Sequence, residues 1–269
     1  METIYIAVFS VTLIGIICAA VLCIASKFMQ VKIDPRINEL TECMPGVNCG
    51  ACGYPGCSGY ALALLSDNNI KTNLCTPGGF EVLEKISRIL GVETGSIEKK
   101  CAIVFCSGDF NSRNKKMEYA GIKSCEAAKQ LYGGENSCAN GCLGYGDCKT
   151  ACPGNAICME GGLARIITNL CTGCALCVKA CPNALISVLN TCTPVFVLCK
   201  NTEKGSVTRK KCSRGCIGCG KCARECRDKA ITIENNLAVI NYEKCSGCNT
   251  CIEVCVVKCI KGSYLPAVS

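Results

Sequence analysis

The sequence predicts an α+β protein of several small stapled units: one N-terminal membrane helix, a small helical domain and two tandem α+β modules. Three observations carry this. Nine cysteines recur at a constant offset of 74 residues, pairing Cys125 with Cys199, Cys138 with Cys212, Cys142 with Cys216, Cys148 with Cys222, Cys152 with Cys226, Cys171 with Cys245, Cys174 with Cys248, Cys177 with Cys251 and Cys181 with Cys255. Gly141, Gly144, Gly146 and Gly173 keep the same register as Gly215, Gly218, Gly220 and Gly247, so backbone geometry is duplicated along with sulfur. Second, the 269 residues include 31 Cys, only 5% aromatics and no Trp, which is poor material for one wide apolar core. Third, residues 4–25 carry no charge, and as a helix they would reach about 33 Å, enough to span a bilayer.

The elements follow in chain order. Residues 1–26 read as a transmembrane anchor; a cleaved signal peptide fits less well, because the segment opens with Glu2 instead of a basic stretch. Lys27, Lys32 and Arg36 lie just beyond it, so the positive-inside rule predicts a single-pass protein of the cell membrane with the rest of the chain on the cytoplasmic side. Residues 27–95 form the small helical domain, closing on a helix over residues 80–92 with Phe80, Leu83, Ile86, Ile89 and Leu90 on one face. Residues 96–137 read as a connector around an apolar strand at 102–105. The first module spans 138–190, with weaker strands at 163–167 and 186–189. A second connector covers 191–211, and the second module covers 212–269. There, apolar runs at 230–233 and 237–240 flank Asn235-Asn236, a hairpin signal.

The chemistry is that of thiolates. Cys171, Cys174 and Cys177 fall within seven residues, a spacing that converges on one metal cluster more readily than it pairs as disulfides, and the Cys total is odd. Thiolates so spaced hold iron and sulfide, in a reducing compartment such as the cytosol of an anaerobe. The absence of His excludes His-ligated haem, Rieske centres and any Ser-His-Asp or Cys-His catalytic pair. No G-x-G-x-x-G follows a strand, so neither NAD nor flavin has a cradle, no small-molecule substrate is expected to bind directly, and no residue is assigned as acid, base or nucleophile. The formal charge of +8 counts each Cys as neutral. A four-iron cluster on four thiolates carries about −2, so five would offset the excess, and no nucleic-acid partner follows from it. Arg209, Lys210, Lys211, Arg214, Lys221, Arg224, Arg227 and Lys229 make the second module cationic. They form either a solvated face that offsets cluster charge or a docking patch for an acidic redox protein.

The most specific group, Cys171-x2-Cys174-x2-Cys177-x3-Cys181-Pro182, has the spacing of bacterial ferredoxins, where three close thiolates hold one cluster and the fourth reaches a second. Crossed ligation in the second module then assigns Cys216, Cys219, Cys222 and Cys255 to one cluster and Cys245, Cys248, Cys251 and Cys226 to the other. Arg227 and Val256 replace the proline that usually follows the fourth Cys. In the first module Cys171, Cys174, Cys177 and Cys152 make a complete set, but Tyr145 stands where the repeat predicts the middle Cys of the other. Cys142, Cys148 and Cys181 remain there, with Cys138 as the expected fourth ligand and a [3Fe-4S] cluster on three thiolates as the alternative. Upstream, Cys49-x2-Cys52-x4-Cys57-x17-Cys75 is embedded in Gly50, Gly53, Gly56 and Gly59. Zinc would accept four Cys, but these gaps differ from paired C-x2-C knuckles. About five [4Fe-4S] clusters are therefore expected. Among the remaining thiols, Cys106, Cys125, Cys199 and Cys212 are candidates for an additional cluster between the modules; the bland reading is free buried thiols.

Residues 48–60, NCGACGYPGCSGY, with Leu74-Cys75-Thr76-Pro77-Gly78-Gly79, resemble the cluster domain of the B subunit of the Rnf complex, and the anchor before it and ferredoxin-like modules after it come in the same order. The two-module layout, with CSRGCIGCGKC and ENNLAVINYEKC, is similar to the long clostridial form of that subunit. The resemblance implies a membrane-bound ferredoxin:NAD oxidoreductase, a translocase that couples electron flow to sodium or proton transport. In it this subunit would accept electrons from soluble ferredoxin and relay them to the other membrane subunits. Spacing alone implies an anchored multi-cluster electron carrier. It leaves as rivals a membrane-tethered polyferredoxin serving a hydrogenase or another reductase, and a zinc-scaffold interaction protein.

Overall fold

The computed structural model describes residues 2–28, 34–67, 69–96, 99–190 and 194–262. Lys32 of the basic stretch and Cys192 lie outside the described residues. Two compact units divide between Glu39 and Leu40. The first is dominated by α1 (Glu2–Phe28), in which Ile4–Lys27 is long and apolar enough to cross a membrane. Its large side chains, such as Ile6, Phe9 and Leu22, are exposed along the helix, as an apolar solvent would require. The first turn of α2 (Arg36–Cys43) is capped by Asp34, whose carboxylate accepts the Arg36 amide at 2.9 Å and its guanidinium at 2.7 Å.

The second unit opens with α3 (Gly56–Ser66) and α4 (Gly79–Leu90), the latter stopped by Gly91 in the left-handed conformation, φ 69°. The periodicity predicts this helix, but its buried face is Val82, Leu83 and Ile86; Phe80, expected among them, is 60% exposed. Val82 closes on Gly78 so tightly that a Cβ there would stand 2.6 Å from the Val82 Cβ, and this contact leaves the first helical residues over solvent.

The rest repeats one element order. β1 (Lys100–Val104) is followed by α5 (Cys125–Gln130), α6 (Asp147–Thr150), β2 (Ile157–Glu160), β3 (Leu163–Ile166), α7 (Leu176–Ala180) and β4 (Ile186–Asn190). Then come β5 (Val195–Val197), α8 (Gly205–Lys211), α9 (Lys221–Arg224), β6 (Ile231–Glu234), β7 (Leu237–Ile240), α10 (Thr250–Glu253) and β8 (Ile260–Gly262). Among the described residues all four sheets are antiparallel pairs: β1 with β4, β2 with β3, β5 with β8 and β6 with β7. The expected hairpin is β6–β7, with Asn235 and Asn236 at φ 47° and 63°, the positive values a two-residue turn needs. Its counterpart β2–β3 turns on Gly161 and Gly162. The segment read as the first connector supplies β1, whose register sets Cys101 opposite Leu189 and Val104 opposite Ile186.

The duplication is visible in the backbone. Asn155, Ala175 and Ala184 have φ 48°, 60° and 48°, and the residues 74 further on, Lys229, Asn249 and Lys258, have 50°, 62° and 53°. Side-chain types differ while the strained conformation, costly outside Gly, is kept. Each half has a core in which thiols alternate with aliphatic groups. Cys142, Cys148 and Cys177 pack with Ile157, Leu163 and Ile186, and Cys216, Cys222 and Cys251 pack with Ile231, Ala238 and Ile260.

Candidate metal centres

The cysteine loops are shaped by what they pack against. A Cβ on Gly144 would lie 2.6 Å from the Gly162 carbonyl, and one on Gly218 would lie 2.7 Å from the Asn236 carbonyl, so in both halves the loop sits directly on a hairpin tip. The turn after the last Cys of each run is equally regular. The amides of Ala156, Leu185 and Ala230 point at the sulfurs of Cys152, Cys181 and Cys226, four residues earlier, at 3.3, 3.4 and 3.3 Å. Lys229 and Lys258 keep the same left-handed turn as Asn155 and Ala184, so Arg227 and Val256, in the place of Pro153 and Pro182, leave its geometry unchanged.

Five groups of thiols face one another. Cys49, Cys52, Cys57 and Cys75 line one cavity with Tyr60. Burial raises the Cys75 thiol to about 11 despite a Gly78 amide hydrogen bond, and charge on Cys57, Cys52 and Cys49 adds to the rise. Cys226, Cys245, Cys248 and Cys251 line a second cavity, where burial and then Cys245 and Cys248 push Cys251 to about 11. Burial, followed by Cys171, Cys174 and Cys152, drives Cys177 to about 12. Burial, followed by Cys216, Cys255 and Cys219, drives Cys222 to about 11.

The fifth group departs from the sequence expectation. Cys125, and not Cys138, lines the cavity of Cys142, Cys148 and Cys181, and burial together with Cys142, Cys125 and Cys181 pushes Cys148 to about 12. The reason lies in α5. Asp147 accepts the amides of Cys125 and Glu126 at 2.9 and 3.1 Å and the Ser124 hydroxyl at 2.9 Å, and Lys129 donates to the Pro182 carbonyl. The helix is thus clamped between the Cys148 and Cys181 turns with Cys125 facing inward. Tyr145 turns aside, its ring edge-on to Tyr119 at 5.7 Å. Cys138 instead lines a different cavity with Cys106, Cys199 and Cys212.

Each group offers four thiols, and in most of them backbone amides are aimed at sulfur; Asp228 also lines the Cys226 cavity, where its carboxylate accepts the amide and hydroxyl of Ser246. This donor set suits a cuboidal iron–sulfur cluster, whose charge sits on sulfur and is tuned by such hydrogen bonds.

Two further thiols lie against ligand candidates without having been singled out in sequence. The buried Cys101 thiol hydrogen-bonds Cys171, and Cys259, 1% exposed, stands 3.7 Å from the Cys255 sulfur and bonds Cys216 as well. These contacts hold the Cys171, Cys216 and Cys255 thiols below the usual thiol range. The repeat could not flag them: at the 74-residue offset Cys259 meets Leu185 and Cys101 meets Ala175.

Comparison with known proteins agrees with this chemistry. Residues 44–77 match the family described as "Putative Fe-S cluster", and residues 164–187 match the 4Fe-4S binding domain family. The chain is 40% identical to the B subunit of the Na(+)-translocating ferredoxin:NAD(+) oxidoreductase complex of Acetobacterium woodii, over 92% of this chain and 74% of that protein. It is 38% identical to the B subunit of the proton-translocating ferredoxin:NAD(+) oxidoreductase complex of Clostridium ljungdahlii, over 100% of this chain and 94% of that one. It is 36% identical to the B subunit of the ion-translocating oxidoreductase complex of Methanosarcina acetivorans, over 92% and 94%.

Proposed function

Because the chain belongs to the B-subunit family of ion-translocating ferredoxin:NAD(+) oxidoreductase (Rnf) complexes and is an iron–sulfur electron-transfer subunit of that kind, we propose that it accepts electrons from soluble ferredoxin at its C-terminal half and relays them to the other membrane subunits. The clusters, when bound, supply one-electron carriers whose potentials their surroundings set. We assign them to Cys49, Cys52, Cys57 and Cys75; to Cys125, Cys142, Cys148 and Cys181; to Cys152, Cys171, Cys174 and Cys177; to Cys216, Cys219, Cys222 and Cys255; and to Cys226, Cys245, Cys248 and Cys251. The last four sets, with their crossed ligation and repeated turns, make the two halves tandem ferredoxin-like modules. With Cys125 as a fourth thiol, a [3Fe-4S] centre at the Tyr145 site is no longer needed. The helix α1 anchors the chain, and the basic residues after it favour a cytoplasmic location for the cluster-bearing part.

The observation that carries the entry point is exposure. Cys219 and Cys248 are exposed, unlike the other thiols of the two modules, and Lys221, Arg224, Arg227 and Lys229 are exposed around them. Lys211, counted in the cationic patch from sequence, is instead paired with Glu203. An acidic donor protein meeting this face is steered by charge toward the outermost thiolates. Replacing Arg224→Glu together with Arg227→Glu is expected to slow reduction of the chain by ferredoxin about tenfold at low ionic strength, the difference shrinking with added salt. A stopped-flow rate that is unchanged at low salt would remove this docking face.

A further inference from the structure

Resting on that reading, we propose that Cys106, Cys138, Cys199 and Cys212 hold a sixth four-iron cluster that bridges the two modules. The four thiols line one cavity, and none of them is in a disulfide. They come as two equivalent pairs, one from each half. Cys106 follows β1 and Cys199 follows β5, each in a turn in which its amide reaches the carbonyl two residues back, at 2.9 Å in both cases. The Cys106 sulfur accepts the amide of Cys142 at 3.5 Å, and the Cys199 sulfur accepts the amide of Cys216 at 3.4 Å. Cys138 and Cys212 each open the run of their own module. Gly141 and Gly215 return to their carbonyls at 3.3 and 3.4 Å.

What draws the pairs together is a backbone ladder across the module boundary. Residues 112–116 run between the two flanks. The Ser137 amide bonds the Asn114 carbonyl and the Lys116 amide bonds the Glu135 carbonyl on one side; on the other, the Asn114 amide bonds the Lys211 carbonyl and the Ser213 amide bonds the Ser112 carbonyl, all within 2.7–2.9 Å. Asn140 also reaches Asn201 across the boundary at 3.3 Å. A Cβ on Gly108 would stand 3.2 Å from the Cys212 sulfur and 3.9 Å from that of Cys106, so this glycine leaves room between thiols of different modules. Arg214 and Lys200 border the cavity and offset the negative charge that four thiolates with iron would bring.

The site also occupies a particular place. Cys142 and Cys216 belong to the assigned clusters on either side, and their amides point at Cys106 and Cys199. The four thiols therefore lie between the two modules, each pair next to a cysteine assigned to the cluster on its own side.

The test is metal and labile-sulfide content of the full chain, purified anaerobically in detergent, as wild type and as the Cys138→Ala/Cys212→Ala variant, with Cys158→Ala as the control. Six clusters give about 24 Fe per chain and no zinc. The double variant is expected to lose about four Fe and one signal from the reduced electron paramagnetic resonance spectrum, and the control to lose neither. The wild-type count needs no variant, so a misfolded double variant leaves it decisive. About 20 Fe in the wild type, with or without one zinc, overturns the sixth cluster while the five-cluster reading stands; a chain without iron overturns that reading instead.

Discussion

Cys125 shows how a single residue's role can be hidden by its own spacing. At a constant offset it matches Cys199, yet the structural counterpart of Cys199 is Cys106: both follow the strand that pairs with the last strand of their half, and the Cys106 and Cys199 sulfurs accept the amides of Cys142 and of its repeat mate Cys216. Cys106 and Cys138 are 32 residues apart where Cys199 and Cys212 are 13 apart. The extra length carries α5, and α5 delivers Cys125 to the place that Tyr145 leaves short. Asp147 holds that helix. Burial alone would raise its carboxyl, but the amides of Cys125 and Glu126 and the Ser124 hydroxyl bring it below the usual carboxylate range. A group depressed on folding stabilises above its unfolded value and loses that contribution as pH falls through its folded one. Asp147→Asn keeps one accepting oxygen but loses the charge and the other acceptor, and is therefore expected to lower stability by about 1 kcal/mol. The gap in denaturant midpoint should persist from about pH 7 to about pH 5 and close only in more acidic solution; equal midpoints at neutral pH would deny the clamp.

At the scale of elements, the hairpins and the cysteine loops specify each other. Gly218 has φ 62° and would place a Cβ 2.7 Å from the Asn236 carbonyl, whereas Gly220, at φ 69°, would meet nothing nearer than 3.4 Å, the flexible end of Arg224. Gly220→Ala carries only the left-handed strain of about 1 kcal/mol, while Gly218→Ala adds displacement of the hairpin tip, together about 2–4 kcal/mol. Thermal unfolding of the two variants should rank them in that order; equal losses would mean that the loop is not seated on the hairpin. Asn235-Asn236 was readable as a turn because two adjacent residues tolerant of positive φ stood between apolar runs. Strand β2 was not, since Ile157–Glu160 is short and includes a Cys and a Met, and only Gly161-Gly162 marked its end. Strand β1 was legible as a strand but not as part of the first module, because its partner β4 lies beyond the whole cysteine run.

For the whole molecule, thiols do the work that an apolar core does elsewhere. Folding without metal gathers groups whose charged forms repel and are poorly solvated, which is why Cys75, Cys222 and Cys251 rise to about 11 and Cys148 and Cys177 to about 12. Cluster binding needs thiolates and so releases those protons. Because the raised groups stay protonated until pH approaches their folded values, iron and sulfide uptake by the iron-free chain should strengthen steadily from about pH 7 to about pH 9. An anaerobic titration independent of pH would contradict the raised values. Sequence by itself determined the iron–sulfur chemistry, the duplication and the apolar N-terminal helix, and it spaced four of the five thiol sets proposed above, because cysteines a few residues apart on one loop lie close together. Only the tertiary structure set Cys125, and not Cys138, beside Cys142, Cys148 and Cys181 and brought Cys106, Cys138, Cys199 and Cys212 together. Those pairings depend on an inserted helix and on a backbone ladder between distant segments, and no local spacing encodes where such segments meet.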